Sequence, residues 1–141
     1  ADANSTEFDP QTTHNVIDMM EAQKQMVNKG GSMRLGAYPC RLKKGSKVEQ
    51  IYSPLLKDGS DIIYERHRHR YEFNHDYQTD FEQHGMECVG INPESGLVEI
   101  LCLQNHPWYI GVQFHPEYSS TVLHPHPLFV DFVKAATKVN L

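Results

Sequence analysis

The stretch Gly111-Val-Gln-Phe-His115-Pro-Glu117 is the most informative part of the 141-residue sequence. It continues an apolar run rich in aromatic and β-branched residues, Trp108 to Phe114, which predicts a strand. Proline cannot donate to a strand ladder, so we expect this strand to end near His115. Because open α/β sheets bind ligands at the carboxyl ends of their strands, His115 and Glu117 are candidate site residues.

A histidine two residues before a carboxylate has two interpretations. As a catalytic pair, His115 is a general base, and Glu117 accepts a hydrogen bond from its other ring nitrogen and so fixes the tautomer. The alternative is a surface histidine beside an acid. Catalysis also needs a nucleophile, for which a cysteine would serve. The chain has three cysteines, Cys40, Cys88 and Cys102. None of them lies between the small residues that are typical of a nucleophile elbow. The sequence therefore offers a base and an orienting group without a nucleophile.

The rest of the chain predicts an α/β or α+β domain. Alternating or apolar runs predict strands at Val16–Met20, Ser32–Leu42, Ile62–Arg70, Met86–Ile91 and Leu97–Leu103, the last two joined by a turn at Asn92–Gly96. Capping residues and helical spacing predict helices at Ser46–Tyr52, at Asp76–His84 after the N-cap Asn74 and before Gly85, and at Pro127–Lys138. The polar segment Glu21–Gly31 is expected to be a flexible connection.

The basic string Glu65-Arg-His-Arg-His-Arg70-Tyr-Glu72 is the second candidate. Alternate residues of a strand share a face, so Arg66, Arg68 and Arg70 should line one side and the two histidines the other. Guanidinium groups bind carboxylates or phosphates. The string therefore has two interpretations: a charged edge strand paired with Glu65 and Glu72, or an anion-binding or interaction surface. The pairs His67/His69 and His124/His126 lack further ligands at a recognised spacing, so no metal site is expected.

Composition excludes several classes of function. The chain carries 13 Lys and Arg against 18 Asp and Glu, a formal net charge of −5, so nucleic-acid binding is not expected. No apolar run approaches the roughly 18 residues of a transmembrane helix, so no membrane partner is expected. Three widely spaced cysteines give neither a disulfide framework nor a metal pair. One domain over residues 1–141 and a cytoplasmic location are expected.

These strings resemble a known family. Residues 111–117 resemble the His-Glu end of the class I glutamine amidotransferases, and four further strings look like the CTP synthases among them: NSTEF at 4–8, GSMRLG at 31–36, YERHRHRYEFN at 64–74 and HPLF at 126–129. The resemblance covers nearly the whole chain. It implies a flavodoxin-like α/β fold, of which this chain would be the carboxyl-terminal portion, with mixed and antiparallel strands, without the amino-terminal strands and the nucleophile elbow.

The resemblance also implies roles. His115 and Glu117 match the catalytic His and Glu of a Cys-His-Glu triad, and Glu7 and Arg70 match the residues that bind glutamine. Arg66 to His69 match a basic segment near a second domain, the synthetase domain. By resemblance, glutamine hydrolysis would release ammonia, and the synthetase domain would use it to aminate UTP to CTP at the expense of ATP.

ATP and magnesium belong to that absent domain, so no cofactor is expected here. The intact enzyme is expected to be a homo-oligomer and the fragment alone inactive. Another class I amidotransferase, or a non-enzymatic anion-binding module built on Arg66–Arg70, are the alternatives.

Overall fold

A computed structural model describes residues 2–19, 33–57 and 59–138 of the chain. In chain order, the strands are β1 (Asn4–Ser5), β2 (Asn15–Asp18), β3 (Arg34–Leu42), β4 (Ile62–His69), β5 (Glu72–Phe73), β6 (Met86–Ile91), β7 (Val98–Leu103) and β8 (Ile110–Val112). The helices are α1 (Lys47–Tyr52), α2 (Gln78–Gln83) and α3 (Pro127–Lys138), with 3₁₀ turns at His75–Tyr77 and Pro116–Ser119. This is an α/β chain, as predicted.

The strands form two sheets. The larger has the order β4-β3-β6-β7-β8, and every neighbouring pair in it is antiparallel. The smaller has the order β1-β2-β5, with β1 parallel and β5 antiparallel to β2. Strand β4 is an edge of the larger sheet and pairs along its length with β3, from His69 opposite Arg34 to Ile62 opposite Arg41. The expected mixture of parallel and antiparallel strands is confirmed.

Local signals position the turns and helix starts. The Asn92 carboxamide oxygen accepts from the N–H groups of Glu94 and Ser95, both at 2.9 Å, which closes the predicted turn between β6 and β7. The Ser46 hydroxyl accepts from the N–H of Glu49 at 3.1 Å at the start of α1. Asn74 caps the 3₁₀ turn His75–Tyr77 through the N–H of Asp76, so the helix predicted at 76–84 is a 3₁₀ turn followed by α2.

The main core lies between the larger sheet and helices α1 and α3. Its buried members are Cys40, Leu42, Val48, Tyr52, Ile63, Val89, Ile100, Cys102, Phe114 and Leu128. A smaller cluster joins the second sheet to β6 and β7 through Val16, Phe73, Cys88 and Val98. All three cysteines are buried free thiols, and burial raises the pKa of each, so they pack as small apolar residues.

Two expectations differ from the structure. The strand predicted at 108–114 is confined to β8, because Trp108 belongs to the packing of α3: its indole N–H donates to Asp131 at 2.9 Å and its ring contacts Phe132. The strand predicted at 16–20 is shifted to β2. The connection predicted at 21–31 lies outside the described residues. Within the described ranges, no helix is long and apolar enough to span a membrane.

Candidate active site

The His-Glu pair follows β8 on a segment held by main-chain hydrogen bonds. The N–H of Gln113 donates to the carbonyl of Glu99 at 2.9 Å, and the N–H of His115 donates to the carbonyl of Arg66 at 2.8 Å. The strand ends at Val112, three residues earlier than expected, but the chain still delivers the pair just beyond its end. A 3₁₀ turn over Pro116–Ser119 then brings Glu117 back toward His115.

The pair has the geometry of a base with its orienting carboxylate. His115 Nδ1 lies 2.7 Å from Glu117 Oε1, with the two side chains 36% and 54% exposed. The carboxylate can only accept, so Nδ1 carries the proton and Nε2 keeps its lone pair for a reacting group. The same hydrogen bond lowers the pKa of Glu117. The His115 ring also stacks on Tyr118, with centroids 5.1 Å apart, which restricts its rotation.

Glu7 and Arg70 line one cavity of about 620 Å³, together with Ile17, Met19, Met33, Arg68, His69, Tyr71 and Gln113. Glu7 lies in the loop after β1, where its N–H donates to the Ser5 hydroxyl at 3.1 Å. Arg70 lies between β4 and β5 and is exposed. The structure thus brings these two predicted residues, one acidic and one basic, into the wall of the same cavity.

A second cavity, of about 510 Å³, adjoins the first. It is lined by Met33, Leu35, Gly36, Arg66, His67, Arg68 and Tyr118. Met33 and Arg68 contribute to both cavities, and Tyr118 is the residue stacked on His115. The second cavity therefore connects the Glu7/Arg70 cavity to the tyrosine that stacks on His115.

The alternation predicted for β4 is confirmed, but the interpretation that pairs its arginines with Glu65 and Glu72 is not. Arg66, Arg68 and Arg70 are exposed, whereas His67 is buried and His69 is partly buried. Glu65 is buried in another network, in which its Oε1 accepts from the Tyr52 hydroxyl and from His126 Nε2, each at 2.8 Å. In the part of the chain that the structure describes, none of the three arginines forms an ion pair.

Sequence reasoning missed a buried charged cluster beneath β4. Arg34 Nη2 lies 2.8 Å from Glu99 Oε1, and Arg34 Nη1 lies 3.4 Å from Glu72 Oε1. His67 Nε2 is 3.7 Å from Glu99 Oε2, and His69 Nδ1 is 3.5 Å from Glu72 Oε1. The string around Arg34 was visible in the sequence, but its partners lie on β5 and β7, far away along the chain.

Burial controls the ionisation of this cluster. It raises the pKa of Glu72 to about 7 against the opposing effect of Arg34, and it raises the pKa of Glu99. Burial and the nearby Arg34 lower the pKa of His67 to about 3 and that of His69 to about 4. Both rings are therefore neutral at pH 7.

The described residues contain no group of three or more His, Cys, Asp or Glu side chains that could hold a metal ion. His126, one of the candidate ligands considered from sequence, instead contacts Glu65 in the buried network.

Known proteins are similar to this chain in sequence and in fold. The family Glutamine amidotransferase class-I matches residues 9–135. A CTP synthase of Bacteroides fragilis is 65% identical over 136 residues, and one of Aquifex aeolicus is 54% identical over 135; each match covers 96% of this chain. The chain spans about a quarter of the length of these relatives, 24% in both.

A solved structure, the glutaminase domain of Trypanosoma brucei CTPS with bound acivicin, shares the fold. It matches with a TM-score of 0.85 and 35% identity, over 99% of this chain and 52% of that one. The expected fold class is confirmed by this neighbour and by the family match. The chain belongs to the class I glutamine amidotransferases.

Proposed function

We propose that the chain is the carboxyl-terminal part of the glutaminase domain of a CTP synthase, and that it supplies the base and the substrate pocket for glutamine hydrolysis. The observation that carries this proposal is the His115–Glu117 pair, with Nδ1 bound to the carboxylate at 2.7 Å and Nε2 left for a reacting group. The identity to CTP synthases and the adjoining Glu7/Arg70 cavity support it.

The charges of the cavity suit an α-amino acid. Arg70 can bind an α-carboxylate through two parallel N–H bonds, and Glu7 can accept from an α-ammonium group. An α-amino acid held by Arg70 and Glu7 would extend its side chain along the cavity wall. The adjoining cavity leads past Tyr118, so the side-chain amide of glutamine would be presented toward His115.

The chemistry assigned to His115 is proton transfer. A cysteine thiol elsewhere in the full-length protein would lose its proton to Nε2 and attack the amide carbon of glutamine. His115 would then protonate the leaving ammonia, and in the second half of the reaction it would take a proton from the water that hydrolyses the glutamyl thioester. Glu117 stabilises the imidazolium at both stages.

The nucleophile is not proposed within these 141 residues. Cys40, Cys88 and Cys102 are buried thiols with raised pKa, which suppresses the reactive thiolate. The isolated chain is accordingly proposed to be inactive. The released ammonia would pass to a synthetase domain that binds ATP, magnesium and UTP, and the exposed Arg66 and Arg68 would face that domain. Full-length copies would associate as a homo-oligomer in the cytoplasm.

The test compares two nitrogen sources in the full-length protein. His115→Ala should lower glutamine-dependent CTP formation at least a thousandfold, because the nucleophile loses its base. Amination supported by added ammonia should continue, since ammonia bypasses hydrolysis. Equal loss of both activities, or retention of the glutamine-dependent activity, would count against the proposal.

A further inference from the structure

His67 and His69 form a directed chain of hydrogen bonds that ends at the main-chain carbonyl of Tyr71. His67 Nδ1 lies 2.7 Å from His69 Nε2, and His69 Nδ1 lies 3.1 Å from the Tyr71 oxygen. Both rings lie on the inward side of β4, and neither takes part in the chemistry assigned to His115. Tyr71 follows Arg70 in the turn between β4 and β5, and both line the Glu7/Arg70 cavity.

The tautomers of both rings follow from the acceptors that they face. A carbonyl can only accept, so His69 Nδ1 carries a proton; Glu72 Oε1, 3.5 Å from the same nitrogen, is a further acceptor. Burial and Arg34 lower the pKa of both histidines, so each ring holds a single proton at pH 7. His69 Nε2 must then accept from His67 Nδ1, which leaves His67 Nε2 without a proton.

The surroundings keep this order fixed. His67 Nε2 faces Glu99 Oε2 from β7 at 3.7 Å and has no hydrogen-bond partner within the described residues. The His67 ring lies edge-on to Tyr38 and Phe114, with centroids 5.5 and 6.0 Å away. The positively charged Arg34 contacts the same carboxylate, with Nη2 2.8 Å from Glu99 Oε1. Reversing the chain would leave His69 Nδ1 without the proton that it donates to the Tyr71 carbonyl.

We propose that His69, held in one tautomer by His67, is a positioning residue that fixes the Arg70–Tyr71 turn for binding the amino-acid end of the substrate. The proposal rests on the proposed glutamine pocket. Its consequence is specific: the hydrogen bond to the Tyr71 carbonyl controls substrate affinity and not the rate of bond cleavage. His69 itself transfers no proton during the reaction.

Three substitutions at His69 separate the two ends of its ring. His69→Asn places an amide N–H near the position of Nδ1 and keeps a donor for the Tyr71 carbonyl. His69→Gln places its amide farther out, near Nε2, and keeps the bond to His67 alone. His69→Leu, of similar size, keeps neither. The full-length protein is assayed for glutamine hydrolysis, with KM and kcat determined for each variant.

The Leu and Gln variants should raise the KM for glutamine at least fivefold, because the Tyr71 carbonyl loses its donor, while kcat changes less than threefold. The Asn variant should keep KM within threefold of wild type. The control is His84→Leu, which removes an exposed His that contacts the Asp80 carbonyl at 2.7 Å outside the cavity. It should leave both constants unchanged.

Thermal unfolding and isothermal titration with glutamine accompany the kinetics, so that a folding defect is distinguished from weaker binding. An unchanged KM in His69→Leu overturns the positioning role, and so does equal loss of affinity in the Asn and Leu variants. If Arg70→Ala raises KM while the His69 variants do not, the pocket stands and the positioning role falls. If wild type hydrolyses no glutamine, both proposals fall.

Discussion

The main-chain N–H of His115 donates to the carbonyl of Arg66 at 2.8 Å, so the segment with the His-Glu pair is attached to the edge strand β4. The far end of the following 3₁₀ turn is attached to the same strand, because the Ser119 hydroxyl lies 3.4 Å from Glu65 Oε2. Glu117 lies between these two attachments. The strand that positions Arg70 in the cavity wall therefore also positions the proposed base.

Glu117 is predicted to act by orienting His115 and stabilising its charged form. Glu117→Gln should lower kcat for glutamine hydrolysis in the full-length protein by about two to four orders of magnitude, because an amide can hold the wrong tautomer and carries no charge. The KM for glutamine should change little. Glu94→Gln, an exposed position in the turn between β6 and β7, is the control. A kcat within threefold of wild type would refute the orienting role.

Most of the elements were predictable because their signals are local. The Asn92 turn, the Ser46 cap and the alternation of β4 each depend on residues within a few positions of one another. The His115–Glu117 contact was predictable for the same reason, since the two residues are separated by one proline. Glu7 and Arg70 could be predicted only through family resemblance, because 63 positions of chain separate them and no local pattern connects them.

The buried ion cluster was not predictable, because tertiary pairing decides it. Glu72 and Glu99 look like ordinary surface acids in the sequence, and only the packing of β5 and β7 against Arg34 makes their burial tolerable. The inward direction of His67 and His69 followed from strand alternation. Their partners, and hence their tautomers, depended on strands distant in sequence.

Glu72 is predicted to make stability depend on pH. Burial raises its pKa from 4.5 to about 7, so between these values the folded state holds a proton that the unfolded state has lost. The free energy of unfolding therefore falls as pH rises through this range, by up to about 3 kcal/mol at 1.36 kcal/mol for each pH unit. Above about pH 7 Glu72 is ionised in both the folded and the unfolded state, so the free energy of unfolding falls no further through this group.

The measurement compares wild type with Glu72→Gln by urea denaturation from pH 5 to pH 8. His67 and His69 have lowered pKa values and contribute a slope of opposite sign below pH 6.5, so the comparison with the variant isolates Glu72. The variant should gain stability relative to wild type as pH rises. A stability difference that stays constant with pH would show that Glu72 is already ionised at pH 5.

Gly90 is predicted to be required by close packing inside the larger sheet. A Cβ at this position would lie 2.5 Å from Ile100 Cγ1 and 2.8 Å from Cys40 Sγ, in the centre of the main core. Gly90→Ala should lower the free energy of unfolding by about 1–3 kcal/mol, because the surrounding side chains must shift.

The matched control is Gly111→Ala on β8, where a Cβ meets no atom of the described structure within 4 Å. Denaturation of the two variants of the 141-residue chain, followed by Trp108 fluorescence, should show a large loss for the first and a change within about 0.5 kcal/mol for the second. Equal effects at the two positions would be inconsistent with the packing described for Gly90.

The proposed role of His115 is tested most directly by the rate of glutamine hydrolysis by three proteins side by side: the full-length protein, its His115→Ala variant and the isolated 141-residue chain. We expect hydrolysis by the first alone, because His115 is the proposed base and the proposed nucleophile lies outside these residues. Hydrolysis by the isolated chain that disappears on His115→Ala, or full activity in the full-length His115→Ala protein, would contradict it.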